Sequence, residues 1–358
     1  MDYLLLIFPI ATFIVLFYKA KIAPLGTYIE DGWDYDTSRS LFGIAAVFIM
    51  HHHMTQCITG YGWNYKGPIT IFNSIGLLFT SIFFFFSGFG LMVSLSEKKD
   101  YMKTFLAHRL VSVLVPFFVA NVFYIPYCML FTDRIQTVGE FITSVTGFTL
   151  MNKNAWFVVE ITFLYLAFFV AEKLTKNRVV MVSILTVITV CIIFMSLSLG
   201  DDTTRVSGYW FKGAWWYNTT ILFPVGLWFG LFKHRVMAFF KRFLIAIELI
   251  SILVFGILLH EHLRIWQPFY LDSIMCIAFV MILLGIVLKV RIGNPVLRFI
   301  GKISYELYLI HGVYLMCFGF GLALPDLPMF AIVFALSFAT AALLTPLDKR
   351  IIKRMLNL

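Results

Sequence analysis

Long apolar stretches follow one another along almost the whole chain, and no other sequence feature constrains its fold as strongly. Hydrophobic residues make up 61% of the 358 residues and charged residues only 13%, whereas an average globular chain is about one quarter charged. A helix of about 20 apolar residues is long enough to cross a lipid bilayer. The sequence therefore predicts an all-α fold, a polytopic transmembrane helical bundle embedded in a lipid bilayer.

The apolar stretches divide into eleven predicted spans. They lie near Tyr3–Tyr18, Leu41–Thr55, Ser74–Leu95, Leu110–Phe131, Ala155–Ala171, Val179–Leu199, Thr219–Phe232, Phe243–His260, Phe269–Leu288, Ile303–Leu322 and Met329–Leu347. The seventh is short and contains Pro224 and Gly226, which favours a broken or re-entrant segment. The first lacks a basic leading region and a small-residue cleavage site, so it is expected to be an anchor and not a signal peptide. We place this extra anchor and its loop in residues 1–36 and one main domain in residues 37–358.

Basic residues are unevenly divided between the two sides that eleven alternating spans define. One side holds 22 Lys and Arg, and the other holds six: Lys66, Arg134, Lys153, Arg205, Lys212 and Arg264. Because cytoplasmic loops carry the excess of Lys and Arg, we predict an external N-terminus and a cytoplasmic C-terminus. The net charge of +9 comes from residues dispersed among loops, so the sequence does not predict a nucleic-acid partner.

The second predicted span begins with an arginine and ends in three histidines. Ionisable side chains at membrane depth are costly and mark functional sites. On a helix, His53 lies fourteen residues after Arg39, within about 40° of its face and about 21 Å along the axis, whereas His52 points nearly the opposite way and His51 lies between. Three successive histidines fan out around a helix and cannot share one ion, so no metal site is predicted. The alternative is a histidine that merely reaches interfacial water.

Four further polar marks lie at or near membrane depth. Ser87–Gly90 follows a run of phenylalanines, and close helix packing explains its small residues. Arg109 precedes Pro116 at a cytoplasmic span end, where it either anchors the helix to headgroups or meets an anionic ligand. Trp156 fits an interfacial aromatic belt, but Glu160, one turn further in, needs a partner or water.

The fourth mark is a polar stripe on the tenth span. Ser304, Tyr308 and His311 follow an i, i+4, i+7 spacing, which places them on one helical face.

In this order, the marks resemble the acyltransferase-3 family of bacterial membrane acyltransferases, over about residues 37–347. The matching segments are the early helix that ends in His53, Phe83–Phe89, Arg109 before Pro116, Trp156 with Glu160, and Ser304–His311. Two positions depart from the family pattern. Phe42 stands where the family has Arg or Lys separated from the histidine by ten residues, and Arg39, one turn earlier, would replace it. Ser112 stands where the family has a second arginine.

The resemblance implies an acyltransferase of the bacterial cytoplasmic membrane. It would move an acyl group, commonly acetyl, from cytoplasmic acyl-CoA to a hydroxyl of an extracytoplasmic glycan or lipid-linked sugar, without a permanently bound cofactor. His53 is the expected general base, and Glu160 is expected to fix its tautomer. Arg39, Arg109 and Lys103 are expected to bind the CoA phosphates.

The resemblance also implies residues that line the substrate passage. They are Tyr308, His311, Ser304, Trp156 and His52. Tyr308 and His311 either line this passage or donate to the developing oxyanion. Outside the membrane, the aromatic residues between Tyr209 and Tyr217 either stack on sugar rings or form an interfacial belt.

A secondary transporter is the alternative function from another class. It would use the same intramembrane charges as a substrate path and would need no acyl donor. Many transporters contain internal repeats, and the two halves of this chain show no visible similarity. A catalytically inactive membrane scaffold is a further alternative.

Overall fold

Helices form almost all of the regular structure in the computed structural model, which describes residues 2–30, 32–60, 67, 69–132, 135–200, 210–264 and 268–357. The α-helices in these ranges are α1 Ile7–Phe17, α2 Tyr35–Thr59, α3 Gly76–Glu97, α4 Tyr101–Phe131, α5 Val138–Thr146, α6 Trp156–Leu174, α7 Arg178–Leu199, α8 Leu222–Leu231, α9 Lys233–His262, α10 Phe269–Lys289, α11 Pro295–Leu315 and α12 Asp326–Met355. Two-residue strands, β1 Lys21–Ile22 and β2 Val290–Arg291, pair antiparallel. The predicted all-α bundle is confirmed.

Nine of the described helices are long and apolar enough to cross a membrane, whereas two of the eleven predicted spans are shorter. The first consists of a 3-10 turn, Asp2–Leu6, followed by α1. The seventh contains α8, whose 10 residues measure about 15 Å. The sequence reading missed α5, a short helix outside the spans that begins with a capping box between Thr137 and Glu140.

The broken seventh span packs closely against α3. A Cβ atom built on Gly226 would lie 2.0 Å from the carbonyl oxygen of Phe85, and one on Gly88 would lie 2.1 Å from that of Phe223. Only glycine permits this approach of two backbones. The irregular chain before α8 is buried in protein, as at Trp216 and Thr220, where non-helical backbone is tolerated at membrane depth.

The helix ends that carry Lys or Arg lie together at one end of the bundle, which we call the basic end. Arg39, in the second turn of α2, lies beside Gly301 of α11. Lys233 at the start of α9 lies 3.4 Å from Glu97 at the end of α3. Lys21 of β1, which follows α1, pairs there with Arg291 of β2, which follows α10.

Helices α2 and α11 run parallel and in register. Asp34 and Asn294 begin them by accepting hydrogen bonds from backbone amides of their first turns. A Cβ atom on Gly43 would lie 2.7 Å from the backbone nitrogen of Gly301. Because helices of equal rise stay in register, the residues ten positions further along each helix also meet.

Candidate active site

The two residues that meet at the far end of the α2–α11 pair are histidines. His53 Nδ1 lies 2.7 Å from His311 Nε2, and the two rings stack with centroids 5.0 Å apart. His311 is fully buried and His53 is half-buried. We call this place, about 21 Å from Arg39 along α2, the histidine end.

Hydrogen bonding fixes the tautomers of this pair when both rings are neutral. His311 Nδ1 lies 3.1 Å from the carbonyl oxygen of Leu307, which can only accept, so this nitrogen donates. Nε2 of a neutral His311 is then an acceptor, and His53 Nδ1 donates to it. The remaining nitrogen, His53 Nε2, keeps its lone pair. A histidine held in this way is suited to remove a proton from a substrate.

The three adjacent histidines reach three different neighbours. His51 Nε2 lies 3.0 Å from the Thr12 hydroxyl of α1. His52 Nδ1 lies 2.7 Å from the carbonyl oxygen of Phe72, and its ring fills the space beside Gly76. The helical phase predicted from sequence therefore holds, since His53 faces α11 as Arg39 does.

Glu160 does not contact His53, and the expectation that it orients this histidine is wrong in this structure. Its Oε1 accepts a 2.7 Å hydrogen bond from Thr220, and its fully buried Oε2 has no partner among the described residues. Trp156, one turn earlier, packs against Trp216. Both side chains point towards the broken seventh span, whereas the side chain that contacts His53 is that of His311.

The segment that precedes α6 lies beside the histidine pair, and the sequence reading missed it. The Tyr308 hydroxyl donates to the carbonyl oxygen of Asn154, and the Asn152 amide lies beside Gly312, one residue after His311. The Lys153 ammonium lies 5.9 Å from the centroid of the Trp215 ring. The sequence signal that could have identified it is a polar segment, Asn152–Asn154, directly before a span.

Aromatic side chains separate the histidine pair from the basic end. Phe42 stacks on Phe83 at 5.0 Å, and the Phe83 ring lies 6.5 Å from that of Tyr308. Phe157 packs edge-on against Tyr308. Ser304, one turn before Tyr308, donates to the carbonyl oxygen of Gly301.

The three residues expected to bind phosphates lie in different surroundings. Arg109 donates to the Tyr101 hydroxyl at 2.7 Å and lies 5.6 Å from the centroid of the Tyr165 ring. The half-buried Arg39 lies 5.7 Å from the Tyr35 ring centroid. Lys103 is exposed.

A second polar network near the histidine end had no sequence signal. His262 Nδ1 lies 2.8 Å from Asp272 Oδ1, and Asn218 donates to Asp272 Oδ2 at 2.9 Å. His262 Nε2 contacts the carbonyl oxygen of Ser74, two residues after the carbonyl that His52 contacts. This network joins α9 and α10 to the start of α3.

The outer aromatic segment is only partly described. Tyr209, like Lys66, Arg134 and Arg205 of the charge count, lies outside the described residues. Trp216 is fully buried and therefore offers no face to a sugar, whereas Trp210 and Trp215 are half-buried.

The family model described as an acyltransferase domain matches residues 41–346, which is most of the chain. The chain belongs to the acyltransferase-3 family. No curated protein and no solved structure shows significant similarity to it. Together with the helical bundle, membership of the acyltransferase-3 family indicates a membrane acyltransferase, and the family match begins after α1.

Proposed function

We propose that this acyltransferase-3 protein is an O-acyltransferase of the bacterial cytoplasmic membrane. It transfers an acyl group, with acetyl as the first candidate, from cytoplasmic acyl-CoA to a hydroxyl of an extracytoplasmic glycan or lipid-linked sugar. The observation that carries the proposal is the His53–His311 pair, which leaves His53 Nε2 as a base inside a membrane protein of this family.

An alcohol is a weak nucleophile at neutral pH, so a base must take its proton as it attacks. In the proposed step, His53 Nε2 takes the hydroxyl proton and the oxygen bonds to the thioester carbonyl carbon. The C–S bond then breaks, and the thiolate takes the proton from the imidazolium. His311 stabilises the charged ring by accepting from His53 Nδ1 throughout.

The donor would enter at the basic end, where cations can bind its phosphates. Arg39 and Arg109 are the main candidates because a guanidinium binds phosphate through paired hydrogen bonds. The exposed Lys103 lies 3.2 Å from Asp100, an exposed pair that contributes little and can give way to a ligand. The acyl end would pass the layer of Phe42, Phe83 and Tyr308 to reach His53.

Replacing the two arginines should weaken donor binding. We expect Arg39→Ala and Arg109→Ala each to raise the Kd for acyl-CoA about 10- to 150-fold, since each removes a charge-assisted contact worth about 1.5–3 kcal/mol. Binding of a labelled acyl-CoA to purified protein would measure this, with Arg354→Ala, a basic change on α12, as the control. Unchanged affinity in both variants would show that the donor binds elsewhere.

The acceptor would approach from the histidine end. Tyr308 and the Asn152–Asn154 segment lie next to the histidine pair, so they are our candidates for contacts to the sugar. Ser304 lies deeper, on the donor side of Tyr308. Trp156 and His52 pack against the protein, and in this proposal they shape the walls of the site.

Orientation is a separate proposal, based on the charge asymmetry of the sequence. We expect the histidine end to face outwards and the basic end to face the cytoplasm. Single cysteines at positions 212 and 176 in a cysteine-free background should react with an impermeant maleimide from outside and from inside, respectively. The reverse pattern would contradict the orientation.

The proposed reaction can be tested directly. Membranes that contain the protein should transfer label from acyl-CoA to surface saccharide, and mass spectrometry of glycans from a deletion strain should show the loss of one acyl mass. Saccharide that crosses the membrane unmodified, with the donor unused, would instead support a transporter.

A further inference from the structure

The beginning of α9 differs from the rest of the helix. The helix has 30 residues and is about 45 Å long, whereas the hydrocarbon core of a bilayer is about 30 Å thick. A kink at Phe243, with φ −116° and ψ 22°, separates Lys233–Arg242 from the apolar remainder. Because the part after the kink alone is long enough to cross the core, we expect Lys233–Arg242 to lie at headgroup level.

This headgroup-level segment is basic. It contains four Lys or Arg and no Asp or Glu, and the Lys233–Glu97 contact places its start at the basic end. Arg235 is exposed, and within the described part of the chain its guanidinium makes no ion pair. The guanidinium lies 5.9 Å from the centroid of the Phe232 ring.

Arg235 lies at the edge of an apolar groove between α8, α9 and α10. The groove has a volume of about 520 Å³, and its other lining residues include Phe229, Val236, Ile247 and Met281. Arg235 and Val236 come before the kink, whereas Ile247 comes after it. The groove therefore runs from headgroup level into the hydrocarbon core.

An exposed arginine at the edge of an apolar groove matches the charge and shape of one lipid class. The geometry points to a binding site for an anionic glycerophospholipid, with its phosphate at Arg235 and one acyl chain in the groove. Anionic headgroups are attracted to basic juxtamembrane segments, and the volume lies within the usual range for small-molecule sites. A zwitterionic lipid would fill the groove equally well, but its headgroup would be attracted less strongly to the Arg235 charge.

The test uses the full-length protein, purified with lipid and examined by native mass spectrometry. With equal amounts of phosphatidylglycerol and phosphatidylcholine of the same chain length, phosphatidylglycerol should be retained preferentially. Arg235→Ala should lower its retention about fivefold, Arg235→Lys should keep most of it, and the exposed Arg354→Ala on α12 should have no effect. Val236→Trp, which fills the groove without changing charge, should lower the retention of both lipids.

Several results would overturn the proposal. Equal retention of the two lipids would show that the site does not recognise headgroup charge. Equal losses in Arg235→Ala and Arg354→Ala would show that only general surface charge acts. Displacement of the lipid by glycerol 3-phosphate would indicate a site for free phosphate, and displacement by acyl-CoA would indicate a donor site. Gel filtration of each variant as a single symmetric peak establishes that it is folded.

Discussion

His53→Ala is expected to lower acyl transfer by about 10²-fold or more, the contribution of a general base. The structure gives two reasons. His53 Nδ1 is engaged by His311, so its other nitrogen carries the lone pair. The other two histidines of α2 are held by Thr12 and by the carbonyl oxygen of Phe72, and they face away from α11.

These neighbouring histidines supply matched controls for the His53 experiment. His52→Ala and His51→Ala remove the same side chain from adjacent positions and should lower transfer much less than His53→Ala. All three variants would be assayed at equal membrane levels with saturating acyl-CoA. Full activity of His53→Ala would refute the assignment of the base, whatever the controls show.

His311→Ala should lower the turnover number by about 10²-fold, because without its partner the His53 ring loses its orientation and the stabilisation of its charged form. His311 is a positioning residue in this mechanism. The KM for acyl-CoA should stay nearly constant, since the proposed site for the donor phosphates is about 21 Å away at the basic end.

A conservative variant separates orientation from packing. In His311→Gln, the side-chain oxygen can accept from His53 Nδ1 and should restore part of the turnover. Steady-state kinetics of the Ala and Gln variants, with donor and acceptor varied in turn, would measure both effects. A large rise in the donor KM with unchanged turnover would place His311 in donor binding instead.

The family motif and helical periodicity together selected His53 as the expected base, an assignment that stays a prediction. Periodicity identifies the side of a helix on which a residue lies, so it placed Arg39 and His53 on one face, and both lie towards α11 in the structure. It does not identify the helix that packs against that face. For this reason Glu160 was expected beside His53, although it contacts Thr220.

The sequence by itself determined the membrane bundle, the approximate positions of its spans and the uneven distribution of basic residues. These properties follow from local composition, because a bilayer selects apolar segments of sufficient length one at a time. Only the tertiary structure decided that His311 contacts His53, that the Asn152–Asn154 segment lies beside them, and that α9 is kinked at Phe243. Such contacts join residues as far as 258 positions apart, and they depend on which helices pack together and in which register. In this chain, glycines such as Gly43 and Gly301 allow α2 and α11 to pack in the register that joins the two histidines.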